Sequence, residues 1–364
     1  MKREPELLEN VPLAPFTTIG LGGPARYFAR VRSGAGLGQV LRWAAERDLP
    51  VQVLGGGSNT VFADEGFAGL VLHIVNRGIA FRRQGEAVLC VAQAGSVWDD
   101  VVAAAVARGL AGIECLSGIP GSVGATPVQN VGAYGQEIAE TLKWVRACER
   151  PSGRMIRLRG EECGFGYRQS RFKGLDRDRF VILGVAMRLR PGERPHLGYQ
   201  EVAARALQDG VAGLAPAEAL AAVRRIVLDL RRSKSMLRDE SDPNARSVGS
   251  FFLNPVLTKA QLAGLMDRLG TKAAQLPVFP AGENVKVSAA WLIGAAGFAR
   301  GDRRGGVGIS ERHLLALVNR GGSTGQLLAL SDEIRRGVAR AFAIELQPEP
   351  VIVPFDPQTA AAWQ

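Results

Sequence analysis

Four cysteines and three histidines in 364 residues leave little material for a metal centre. Cys90, Cys115, Cys148 and Cys163 show no CxxC spacing, and His73, His196 and His313 each stand alone, so no zinc or iron–sulfur site is expected. Cysteines scattered in this way read as small buried hydrophobes. No apolar run approaches the ~20 residues of a membrane-spanning helix. The start, MKREPELLENVPLAP, is polar and has no signal-peptide core, so a soluble, cytoplasmic protein with no membrane partner is expected. Aromatic residues make up 6% of the chain, and there is no basic tail or helix–turn–helix pattern, which counts against base stacking on nucleic acid. A net charge of +10 keeps nucleic-acid binding as a rival reading, but the arginines are spread along the chain, and the same field would attract phosphates and carboxylates.

The bulk of the chain is that of a globular protein, with 46% hydrophobic and 22% charged residues, and its length suits two or three domains. Leu37, Val40, Leu41 and Ala44 repeat at helical spacing before VQVLGGG, a strand running into a glycine loop. GLVLHIV and AVLCVAQAG read as strands, and SVWDDVVAAAVARGL as a helix with Ser96 at its N-cap. Short alternating strands follow around Lys143–Ala147, Met155–Leu158 and Phe180–Leu189, predicting a mixed or antiparallel sheet. Pro216 opens a helix with Leu220, Val223, Ile226, Val227 and Leu230 on one face; Leu330, Ile334, Val338 and Phe342 mark another. The polar stretch SKSMLRDESDPNARS is expected to join two domains.

Four stretches carry the chemistry: LGGGSNT, IPGSVGATPVQNVGAYG, GYRQSRFK and SVGSFFLNP. The first is neither a Walker loop nor a GxGxxG fingerprint, and a lone glycine triplet is more often a tight turn. Its place after a strand, with Ser58 and Asn59 beside the free amides, points instead to an anion gripped by main-chain N–H groups. The second stretch is costly to order without a ligand. Together the two loops suggest a pyrophosphate, and the last two stretches add a cation and a hydroxyl beside it.

These stretches, in this order and closed by PEPVIV, resemble the UDP-N-acetylenolpyruvoylglucosamine reductases, flavoenzymes of peptidoglycan precursor synthesis. The likeness runs from about Pro15 to Val353. It implies an α+β fold: a two-lobed FAD-binding module of the vanillyl-alcohol-oxidase type and a separate substrate-binding domain. The lobes are expected at 1–75, with 347–364 returning to it, and at 76–235; the substrate domain is expected at 236–346. The cofactors implied are non-covalent FAD, since no histidine or cysteine tether is apparent, and NADPH as co-substrate. The substrate implied is UDP-N-acetylglucosamine enolpyruvate, reduced to UDP-N-acetylmuramate by an enzyme expected to be a monomer.

Residue by residue, the resemblance assigns FAD binding to Gly55, Gly56, Gly57, Ser58, Asn59 and Thr60 in the first loop. In the second it assigns Ile119, Pro120, Gly121, Gly124, Gln129, Asn130, Gly132, Ala133 and Tyr134. Arg168 matches the family's arginine, suited to a carboxylate or enolate. Ser250 matches the serine that protonates the carbanion-like carbon, and Glu349 the glutamate acting as an acid beside it. Tyr199, Lys234, Phe251, Asn254 and Lys286 are matched to substrate binding, Tyr199 on a loop that marks one subclass. Alone, each has a plainer reading: a serine cap, a surface arginine, an exposed carboxylate between prolines, helix-end lysines. Gly294 stands where the family commonly has an acidic residue, and the basic loop GDRRGG has no assigned role. An oxidase of the same flavin fold is the alternative enzyme reading.

Overall fold

The computed structural model describes residues 7–355. The first six residues of the polar start and 356–364 of the expected returning segment lie outside the described residues. The chain divides into two compact units, one of Met1–Val11, Ala25–Gly56 and Ala68–Leu237, the other of Pro12–Pro24, Gly57–Phe67 and Arg238–Gln364. The division after Leu237 falls inside the polar stretch whose composition predicts a connection.

The first unit holds two sheets. One orders Leu8–Pro12, Pro24–Val31, Phe67–Ile74 and Val51–Leu54, the last two parallel with Val51 opposite Leu70. Helix Gly34–Ala45 buries the four residues whose spacing predicts it, and the Ser33 hydroxyl caps it by accepting from the Gly36 N–H. The other sheet is antiparallel and runs Met155–Arg159, Leu142–Glu149, Phe180–Pro191, Ala87–Gln93, Ile79–Gln84, with Leu110–Ala111 also pairing on Phe180–Pro191. Phe180–Pro191 departs from the expected short alternating strand. It runs for 12 residues and Val181 through Met187 are all buried, because it is central in its sheet and covered on both faces.

Helix Trp98–Val106 forms as predicted, but its N-cap is Val97 and no side chain caps it. The Ser96 hydroxyl is used elsewhere: it accepts from the Gly78 N–H at 3.1 Å and donates to the Gly78 carbonyl at 3.2 Å. Helix Pro216–Ser233 has proline in its first turn and buries Leu220, Val223, Ile226, Val227 and Leu230, the predicted face.

The second unit is built on an antiparallel sheet ordered Ser247–Ser250, Ala316–Asn319, Val307–Ile309, Arg303–Arg304, with a smaller sheet of Val256–Leu257, Asn284–Val287 and Val278–Ala281. Helix Thr324–Phe342 buries Leu330, Ile334, Val338 and Phe342 in its core. Burial of each such side chain contributes about 1.5–3 kcal/mol. Near the end of the chain Val351–Val353 pairs in parallel with Thr60–Phe62. The basic GDRRGG stretch is a hairpin rather than a long loop, and its charge is answered locally: Arg304 makes a two-pronged bond to Glu333 at 2.7 and 2.9 Å. Gly294 is exposed in helix Ala289–Ala295.

Candidate active site

In the first unit, strand Val51–Leu54 delivers the chain into the first glycine loop, and that loop lies directly against the second. A Cβ on Gly56 would sit 2.6 Å from the Gly121 Cα, and one on Gly55 would sit 2.5 Å from the Ser122 Oγ. Gly56 therefore lets two pieces of main chain meet, and Gly55 leaves room for the Ser122 hydroxyl, a closer use than the ligand approach expected from sequence. Ser122 lies within the second stretch; its Oγ is buried and has no hydrogen-bond partner in the protein. An unanswered hydroxyl costs free energy unless a ligand takes it. A loop pair carrying such a hydroxyl fits the diphosphate of a dinucleotide such as FAD. Ser122 is not among the residues that the resemblance assigns to the cofactor, although Gly121 and Gly124 on either side of it are.

Farther along the second stretch, Asn130, at 1% exposure, uses its side chain inside the protein. Its Nδ2 donates to Glu137 Oε2 at 2.6 Å and to the Gly166 carbonyl at 3.0 Å, and its Oδ1 accepts from the Ala139 N–H. The Gly166 and Gln169 peptides pair with each other at 3.1 Å in both directions, a tight turn with Tyr167 and Arg168 at its tip. Arg168 has φ 52°, and its guanidinium donates to the Gly132 carbonyl at 2.6 Å. Ser170 donates to the Val128 carbonyl. Three ties thus bind the arginine turn to residues 128–132. Asn130, Tyr134 and Arg168 all hold left-handed backbone, at φ 46°, 50° and 52°. A non-glycine residue pays for that conformation, so three of them among the candidate residues point to function.

Tyr134 packs edge-on against Tyr199 with ring centroids 5.3 Å apart, and Lys234 Nζ lies 5.9 Å from the Tyr134 ring centre. Lys234 is the C-cap of helix Pro216–Ser233 and pairs with Glu201 Oε2 at 2.5 Å. Burial pushes the Tyr134 phenol up to about 12, so it remains a donor at neutral pH. The structure thus gathers Tyr199 and Lys234, matched to substrate, with Tyr134, matched to cofactor. Tyr199 is exposed.

In the second unit, Ser250 ends strand Ser247–Ser250 opposite Ala316, after a break in register at Val248–Gly249. The next residues pair with the PEPVIV segment. The Glu349 N–H donates to the Phe251 carbonyl at 2.9 Å, the Leu253 N–H donates to the Gln347 carbonyl at 2.9 Å, and Phe252 bridges Pro348. Ser250 and Glu349 are therefore brought to one place although 99 positions separate them. Asn59 joins them, donating to the Glu349 carbonyl at 3.3 Å while its own carbonyl accepts from Val351. Phe251 has no exposed surface and serves as the buried anchor under Ser250. Asn254 Oδ1 accepts from the Ala289 N–H at the start of helix Ala289–Ala295. Lys286 is half-buried in strand Asn284–Val287. Among the described residues, no group of three or more His, Cys, Asp or Glu could hold a metal ion, and no helix is long and apolar enough to cross a membrane.

Residues 25–159 match the FAD binding domain family, and residues 242–353 match the UDP-N-acetylenolpyruvoylglucosamine reductase C-terminal domain. The UDP-N-acetylenolpyruvoylglucosamine reductase of Thermobifida fusca is 48% identical over 353 residues, covering 94% of this chain and 97% of that protein. The one from Streptomyces coelicolor is 46% identical over 353 residues, covering 95% and 90%. Among solved structures, the reductase from Thermus caldophilus aligns with a TM-score of 0.63 at 24% identity over 96% of this chain and 98% of that one, a likeness of fold. With an FAD-binding module in front and the reductase's own C-terminal domain behind it, the chain belongs to the UDP-N-acetylenolpyruvoylglucosamine reductase family.

Proposed function

We propose that the chain reduces UDP-N-acetylglucosamine enolpyruvate to UDP-N-acetylmuramate with NADPH as donor, acting as a monomer in the cytoplasm and without nucleic-acid or membrane partners. When bound, FAD would accept two electrons from NADPH and supply hydride to the terminal alkene carbon of the enolpyruvyl ether. The residues proposed to hold it are those named within Gly55–Thr60 and Ile119–Tyr134, together with the Ser122 hydroxyl.

Hydride addition leaves charge on the neighbouring carbon and its carboxylate. Arg168 is assigned to that carboxylate, where a fixed cation favours the charge as it develops. Ser250 gives its hydroxyl proton to the carbon and recovers one from solvent, so hydride and proton together saturate the double bond. Glu349 acts as an acid beside the same oxygens. A serine hydroxyl is a weak acid, and it can do this only against a strongly basic carbon. Tyr199 is assigned to close over the nucleotide, as in the subclass with a tyrosine loop, and Lys234, Lys286 and Asn254 are assigned to substrate binding, the two lysines to its diphosphate.

What carries this reading is the pairing of GSFF with Gln347–Glu349, because an FAD-binding module by itself needs neither segment. Anaerobic stopped-flow absorbance tests it. The flavin band should bleach on adding NADPH and recover rapidly with the enolpyruvyl nucleotide. Recovery with oxygen alone would favour a flavin oxidase, and a protein that stays colourless after reconstitution with FAD would overturn the reading.

A further inference from the structure

The peptide of Gly118, one residue before the Ile119–Tyr134 stretch, is gripped on both sides by charged side chains from two helices. Its N–H donates to Asp99 Oδ1 at 2.6 Å, and its carbonyl accepts from Arg231 Nε at 3.0 Å. Asp99 stands in the first turn of Trp98–Val106 and is itself held by both terminal nitrogens of Arg224, at 2.6 and 2.8 Å. Arg231 also donates to the Met236 carbonyl at 2.9 Å. Arg224 and Arg231 lie about two turns apart on helix Pro216–Ser233, whose C-cap is Lys234. One helix therefore carries the lysine at its end and grips the entry to the cofactor loop along its side.

The contact is built rather than incidental. Gly118 has φ 70°, and a Cβ there would lie 2.6 Å from Leu237 Cδ2 and 2.8 Å from Leu228 Cδ2, so the peptide is seated on the helix. The rest of the loop runs along residues 94–99: the Trp98 indole donates to the Leu116 carbonyl, the Trp98 N–H to Gly121, and the Val123 and Gly124 N–H groups donate to Ser96 and Ala94. Burial alone would raise the Asp99 carboxyl, yet its bonds to Arg224 and Gly118 hold it below the usual carboxylate range. Burial lowers the pKa of Arg231, and a buried guanidinium persists where its donors are satisfied.

We propose that Arg231, with Arg224 acting through Asp99, is a positioning residue: it sets the cofactor loop from the helix that bears Lys234, coupling the seating of FAD to occupancy of Lys234 by a nucleoside diphosphate. The inference rests on the function proposed above, which supplies the ligands of the loop and of the lysine. By linkage, each ligand then changes the affinity for the other by the same factor.

The test compares Arg231→Met with Val223→Ala, a core truncation on the same helix that touches none of these hydrogen bonds. FAD affinity of the apoprotein is read from quenching of flavin fluorescence, stability from thermal unfolding, and coupling from the shift of the flavin band when uridine diphosphate is added. Arg231→Met should weaken FAD binding at least tenfold and remove most of the uridine diphosphate shift, whereas Val223→Ala should leave both within about twofold despite its lower Tm. Arg231→Lys keeps the charge and loses the fork; it should weaken FAD binding in the same direction, and it serves as the test if the methionine variant does not fold. Equal losses in the Met and Val223→Ala variants at equal Tm, or FAD binding unchanged by Arg231→Met, would overturn the bracket. A uridine diphosphate shift present in both wild type and Arg231→Met, or in neither, would overturn the coupling. A wild-type chain that takes up no FAD would overturn this inference and the proposed function together.

Discussion

The side chain of Asn130 donates to the carbonyl of Gly166 over 3.0 Å, and so the second glycine stretch holds the turn that presents Arg168. With both Nδ2 hydrogens committed to Gly166 and Glu137, the side chain works as a staple, and any contact Asn130 makes with a cofactor falls to its main chain. Asn130→Gly tests the staple without confounding it with strain, because glycine accepts the φ of 46° that any other replacement would resist. This variant should retain FAD but lose roughly 10–100-fold in flavin reoxidation by the enolpyruvyl nucleotide, since a shift of about 1 Å in a catalytic cation can cost that much. Reoxidation at the wild-type rate would remove Asn130 from the positioning of Arg168.

The contact between the two glycine loops makes a graded prediction. At Gly56 a methyl group meets main chain at 2.6 Å, and nothing there can swing aside; at Gly55 it meets the Ser122 hydroxyl, the end of a rotatable side chain. Gly56→Ala should therefore cost about 1–3 kcal/mol and give a protein isolated largely without flavin. Gly55→Ala should fold near normally and bind FAD more weakly, because relieving the clash turns Ser122 away. Adding Ser122→Ala to Gly55→Ala should cost little more, and additive losses in FAD affinity would show that the two positions act independently.

Much of this was legible in the chain because the signals are local. The faces of helices Thr324–Phe342 and Gly34–Ala45 follow from spacing alone, and motif order carried the likeness that brings Ser250 and Glu349 into one reading. What stayed hidden depends on partners far away in sequence. Asp99 reads as an ordinary acidic residue in a first turn, and its pairing with Arg224 across 125 positions has no local signature. The Ser96 hydroxyl was taken from the expected cap by Gly78, which lies 18 residues earlier. Nor does pattern reveal that Gly57–Phe67 and Pro12–Pro24 cluster with the C-terminal residues, since the pairing of Val351–Val353 with Thr60–Phe62 involves three residues a side.

Ser250 and Glu349 should separate the two half-reactions. Ser250→Ala removes a proton donor and leaves the buried Phe251 anchor intact, so bleaching by NADPH should stay within about twofold while reoxidation by substrate slows by roughly 10²–10⁴. Glu349→Gln keeps the main-chain bond to the Phe251 carbonyl, so any loss it shows belongs to the carboxyl group. Equal slowing of both half-reactions in Ser250→Ala would end its assignment as proton donor.

His73 predicts how stability responds to acid. It lies in strand Phe67–Ile74, where burial, and after it the charges of Arg30 and Arg77, lower its pKa from 6.5 to about 4. The folded protein therefore keeps a neutral imidazole at a pH where the unfolded chain has already taken up a proton. The sign follows from that difference. Above pH 6.5 the residue has no effect; between 6.5 and about 4 the unfolded state binds more protons and stability falls as pH falls; below about 4 the effect levels off. A tenfold change in proton affinity is worth about 1.4 kcal/mol, so this site alone accounts for at most ~3 kcal/mol, and less in proportion to its remaining contact with water. Denaturant unfolding of wild type and His73→Gln at a series of pH values measures it: the variant should lose much of the slope between pH 6.5 and 4, and parallel curves would show that His73 is protonated as readily folded as unfolded.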